Sequence, residues 1–95
     1  MKWRISIRPG AERDLFRARQ WYEDQNVGLG DKFFATVGEA VADLRTTADR
    51  QPEYYRGFRR VLLRPFPYKV FYRVERDRVI IFRVLHSSRD HQRLL

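Results

Sequence analysis

The chain has 95 residues, which fits a single domain, 1–95, with a modest core. Its hydrophobic share of 43% and aromatic share of 15% argue against wholesale disorder, and the absence of cysteine excludes a disulfide framework or a cysteine-based zinc site. The net charge of +8 lies wholly in residues 56–95, where eleven Lys/Arg face three acids; residues 1–55 balance nine against nine. Charge segregated in this way points to an anionic partner: nucleic acid, an acidic protein or an anionic membrane surface.

The opening MKWRISIR alternates Trp3, Ile5 and Ile7 with polar residues, the period of a half-buried strand, with Trp3 expected in the core. It lacks the apolar stretch of a secretory leader, and no uncharged run in the chain exceeds six residues, so no membrane span is expected. Pro9-Gly10 ends the strand.

Residues 11–25 predict a helix. Ala11, Leu15, Ala18 and Tyr22 form one apolar stripe, Trp21 widens it into the core, and Glu12 and Asp14 suit the first turn. Residues 26–30 predict a tight turn, in which Gly28 and Gly30 permit positive φ and Asp31 caps the next helix. Residues 31–49 predict that second helix through Phe34, Val37, Val41, Leu44 and Ala48. Two such helices on a short turn make an antiparallel hairpin.

Period two then returns at 58–64, 68–75 and 78–86. Pro65-Phe66-Pro67 separates the first two strands, and Arg76-Asp77 has the length of a tight hairpin. The fold class is α+β with the order β-α-α-β-β-β. An antiparallel sheet of about four strands carries the helix hairpin on one face. The N-terminal strand joins the meander at either edge. Val70, Tyr72 and Val74 read as core. Lys69, Phe71 and Arg73 then lie on the open face as a basic surface interrupted by an aromatic ring.

Four stretches resemble the RelE/ParE toxin superfamily. They are Ala11-x-x-Asp14-Leu15, WYEDQNVGLGDKF at 21–33, RRVLLRPFPYKVFYRVE at 59–75, and VLHSSRD at 84–90. The resemblance implies a cytoplasmic type II toxin, without cofactor or metal, neutralised by an acidic ParD-like antitoxin that alone binds operator DNA. ParE-like members inhibit DNA gyrase; RelE-like members cut mRNA on the ribosome. The RelE-type site is a set of basic strand residues with a tyrosine near the C-terminus. Here Arg60, Lys69 and Arg89 fill basic positions, but Leu62 and Leu95 stand where a lysine and the tyrosine belong. Leucine moves no proton, and arginine stays protonated. His86 is the remaining candidate for proton transfer, provided it shares a face with Arg60 and Arg89. Glu75 reads as solvated, and nothing pairs His91 with His86 as a metal site. The gyrase inhibitor, which needs a surface and no proton shuttle, is therefore the preferred expectation, with the endoribonuclease as alternative. Residues expected to meet antitoxin or target are Arg60, Lys69, Phe71, Arg73, Arg83, Arg89 and Arg93, with the tail from Arg89 to Arg93 otherwise frayed.

Overall fold

Pro9 both stops the first strand and opens the first helix, because its fixed φ and missing N–H suit a first helical position. The computed structural model describes residues 2–95. In chain order the elements are β1 (Arg4–Ile7), α1 (Pro9–Gln25), α2 (Leu29–Thr47), a single 3-10 turn (Ala48–Arg50), β2 (Arg59–Leu62), β3 (Tyr68–Glu75), β4 (Arg78–His86) and a short α3 (His91–Leu94).

The two glycines of the helical turn do different work. Gly28 precedes α2 with φ +90°, a conformation that side chains resist. Gly30 is inside the helix and allows close approach: a Cβ there would lie 2.7 Å from the Arg19 carbonyl oxygen. Asp31 is not the cap. The Glu23 carboxylate accepts from the Gly28 and Gly30 amides, each at 3.0 Å, while Asp31 pairs with Arg19 at 2.6 Å.

The sheet order is β1-β4-β3-β2. The meander β2-β3-β4 is antiparallel as expected, and β1 joins its last member. That pairing is parallel, so the sheet is mixed rather than wholly antiparallel. Alternation of apolar residues shows faces but not direction. Ile5 lies beside Val79 and Ile7 beside Ile81. A bulge interrupts β4: Phe71 pairs with Arg83 and Tyr72 with Ile81, leaving Phe82 as the extra residue. It shifts the phase of the strand, so the core is met by Val79 and Ile81 and then by Val84.

The main core lies between the helices and the sheet. Tyr22 stacks on Phe33 at 5.3 Å and meets Phe66 at 4.8 Å; Phe33 also meets Tyr68 at 5.2 Å. Phe33 is fully buried, whereas the expected Phe34 is only half-buried. Trp3 is buried, but Trp21, expected in the core, is 57% exposed because its neighbour Tyr22 takes the inward position.

Tyr72 is fully buried and donates its hydroxyl to the Ala48 carbonyl at 2.8 Å, tying the sheet to the end of α2. Burial pushes its phenol up to about 12. An unfolded tyrosine ionises near pH ~10. The stabilisation is therefore complete below that value and is lost as pH rises through the folded pKa, at about 1.4 kcal/mol per pH unit between the two. Urea midpoints at pH 9 and 11 should fall more steeply in the wild type than in Tyr72→Phe, and equal slopes would contradict this assignment.

The reverse face of the sheet is covered, which corrects the expected open surface. Phe58, Phe71, Ile80 and Leu85 are buried outside the main core. Phe71 has Tyr54 at 6.0 Å and His91 at 4.8 Å, and Phe58 meets Phe82 edge-on at 5.1 Å. His91 is itself buried, with Nε2 2.9 Å from the His86 carbonyl oxygen. A carbonyl only accepts, so Nε2 carries the proton. The tail is thus a docked cover rather than a frayed end.

Candidate functional site

Four surface features surround this frame, and the expected residues divide among them. β1 ends at Ile7, so β4 beyond Ile81 has a bare edge facing α1. Asp14 fills it. Its carboxylate accepts from Arg83 Nε at 2.7 Å, from Arg83 Nη2 at 3.0 Å and from the Val84 amide at 2.9 Å. Arg83 also donates to the Leu94 carbonyl at 3.2 Å, so one guanidinium joins α1, β4 and the tail. The Asp14 contact holds the Arg83 pKa above its ordinary value. Arg83 is therefore a structural clamp rather than a free contact for a partner.

Beside the clamp is a cationic hollow. Arg17 and Trp21 project from α1, Tyr68 comes from β3, His86 ends β4, and Arg89 follows in the turn. His86 Nδ1 accepts the Ser88 amide at 3.1 Å and lies 2.8 Å from the Ser88 hydroxyl, which leaves the ring proton on Nε2. Burial, with help from the Asp14 charge, raises the Tyr68 pKa, while the Arg89 guanidinium works against it. Arg89 also borders a second depression with Asp90, Arg93 and Leu94.

The reverse face has a second hollow, formed by Gln51, Pro52, Glu53, Tyr54, Arg60, Leu62 and Lys69. Arg60 lies over the Tyr54 ring at 3.7 Å, and Leu62 is the strand partner of Lys69. Arg73 lies over Phe58 at 5.3 Å and 3.8 Å from Glu75. Phe71, expected to be exposed between the cations, is buried against Tyr54 and His91.

These placements separate the catalytic candidates. Arg60 pairs with Phe71, on the reverse face with Lys69, whereas His86 pairs with Tyr68, on the helix face with Arg89. The condition that His86 share a face with Arg60 is not met. Strand alternation and the bulge at Phe82 put a sheet between the two pairs.

The fourth feature is an apolar groove built partly from residues of the helix stripes that the sequence pointed toward the core. Leu15, Phe34, Val37, Gly38 and Val41 of the hairpin line it together with Ile7, Ile81 and Val84. Ile7 is 42% exposed, and Phe16, which touches Phe34 at 5.8 Å, is 60% exposed. Arg19 lies over Phe34 at 5.1 Å. The signal was an apolar stripe on α2 wider than one sheet face could cover. No helix among the described residues is long and apolar enough to cross a membrane.

The family model described as the ParE toxin of the type II toxin–antitoxin system parDE matches residues 5–91. The chain is 30% identical over 91 residues to Toxin ParE2 of Mycobacterium tuberculosis, in strains CDC 1551 / Oshkosh and ATCC 25618 / H37Rv alike, across 95% of this chain and 87% of that protein. A solved structure described as the chromosomal ParDE TA system from P. aeruginosa shares the fold, with a TM-score of 0.76 at 20% identity, over 90% of this chain and 96% of its own. The chain thus belongs to the ParE toxin family of type II toxin–antitoxin systems.

Proposed function

We propose that this toxin inhibits DNA gyrase in the cytoplasm and is neutralised by an acidic antitoxin whose amphipathic segment occupies the groove on the helix hairpin. The observation that carries the inhibitor reading is the separation of Arg60 and Lys69 from His86 and Arg89 by the sheet. Phosphodiester cleavage needs a base, an acid and cations around a single phosphate. Inhibition by binding needs none of these groups to meet.

The groove supports the antitoxin half of the proposal. An apolar trough between two helices accepts the apolar face of a third, read at three- and four-residue spacing. The net charge of +8 favours an acidic partner and speeds its arrival. Operator binding then belongs to the antitoxin.

The test is a supercoiling assay with purified chain, gyrase and relaxed plasmid. Supercoiling should stop at stoichiometric toxin. Unimpaired supercoiling with excess folded chain rejects the gyrase reading. Cleavage of mRNA on translating ribosomes, abolished in Arg60→Ala, would instead support the endoribonuclease. For the antitoxin, Phe16→Glu adds a charge at the exposed rim of the groove. It should weaken capture of the co-expressed acidic protein about tenfold or more, the scale of a lost apolar anchor. Undiminished capture removes the groove from the interface.

A further inference from the structure

The cationic hollow beside α1 is given no binding role in the gyrase or antitoxin proposals, yet its chemistry is specific. Arg17 and Trp21 are four residues apart on one helix and so share a face. Among the described residues Asp14 is the only carboxylate lining the hollow, and it is engaged by Arg83 and the Val84 amide. Arg17 and Arg89 make no ion pair among the described residues. The His86 Nε2–H is a further donor on the wall. Trp21 is 57% exposed and touches Tyr22 edge-on at 5.1 Å. No cation among the described residues lies over the Trp21 indole.

We propose that this hollow binds single-stranded nucleic acid, with one base against Trp21 and the adjoining phosphate between Arg17 and Arg89. Stacking on an aromatic ring suits any base, since each has a π-face. A guanidinium matches phosphate with two parallel hydrogen bonds. A peptide carboxylate would engage the arginines and leave the indole bare; a nucleotide uses both. Arg89 also borders the depression lined by Asp90, Arg93 and Leu94, where two arginines outweigh one carboxylate, so the strand has a net cationic path out of the hollow. A duplex keeps its bases stacked inside, so the site discriminates against double-stranded DNA.

The experiment is a titration of a labelled oligothymidylate with the full chain, read by anisotropy at several salt concentrations. Trp21→Leu should weaken binding about fivefold or more with the salt slope unchanged, and Trp21→Phe should restore part of the loss. Arg17→Ala and Arg89→Ala should each weaken binding and reduce the salt slope by about 0.7. The exposed Lys32→Ala, on α2, is the control for charge alone. Tryptophan emission should be quenched through Trp21, because Trp3 is buried.

Three results would overturn the proposal. One is equal binding by Trp21→Leu and the wild type. Another is a loss in Lys32→Ala as large as that in Arg89→Ala, which reduces the effect to net charge. The third is polyglutamate binding that depends on Trp21 and matches the oligonucleotide, which assigns the hollow to an acidic peptide. Gyrase inhibition by Trp21→Leu is read separately, so failure here leaves the gyrase proposal standing or falling on its own assay.

Discussion

Asp14→Ala should lower the stability of the fold by about 3 kcal/mol or more. The carboxylate serves three donors on β4, and its removal takes the partner from an arginine that is only 27% exposed at its side chain and from a strand amide at the bare edge. A domain of this size has a total stability of about 5–15 kcal/mol, so the change consumes a large share of it. Chemical denaturation of the purified chain measures the loss. A companion variant separates pairing from simple side-chain loss. Asp14→Leu combined with Arg83→Met replaces the ion pair by apolar groups and should recover part of the stability. The Val84 amide stays unpaired in that variant, so recovery is incomplete. A single Asp14→Ala change of less than about 1 kcal/mol, the scale of an exposed ion pair, would refute the clamp.

Phe71→Ala should cost about 3–5 kcal/mol, the range for a buried phenylalanine whose cavity the surroundings fill only in part. Its ring is fully buried, with Tyr54 on one side and His91 on another. Had it been a docking residue on an open face, the same substitution would reduce binding and leave stability nearly unchanged. The urea midpoint therefore decides between the two roles. The loss should also loosen α3, which meets the sheet through His91. Amide exchange at residues 91–94 is expected to accelerate in Phe71→Ala, and unchanged protection there would detach the tail from this packing.

The contrast between these two residues shows how much of the molecule was legible in the sequence. Alternation along 68–75 correctly sorted Val70 and Tyr72 from Lys69, Phe71 and Arg73 into two faces. It carried no information about whether the second face was covered. The cover consists of residues 54–58 and four residues of α3, pieces too short to have a period. Arg83 was read as a partner contact because Asp14 is 69 residues away; the bulge at Phe82 sets Arg83 beside Phe71 on the reverse face, and from there its guanidinium reaches Asp14 of α1. Asp14 had a local reading, a carboxylate in the first turn of a helix, and nothing in the spacing disclosed its role on β4. Phe33 and Phe34 are neighbours on a helix about 100° apart, and the pattern chose the one that faces the groove. Tyr22 was correctly placed in the stripe, but the face was drawn too wide when Trp21 was added to it. Helix hairpin, meander and main core were readable because each repeats its signal over many residues. The candidate site was readable only in composition, since its assembly depends on a register shift and on which side of the sheet each cation emerges.

The strand that opens the chain is completed by the strand made last. Arg4 is paired in register with Arg78, and Arg8 donates its amide to Ile81, so the sheet closes across nearly the full length of the polypeptide. Such distant partners slow folding, because the intervening chain must be gathered before the contact forms. A nascent toxin lacking residues 78–86 has no neighbour for β1, no wall for the hollow and no edge for Asp14 to seal. The closing of β1, the wall of the hollow and the Asp14 clamp therefore all wait on residues 78–86.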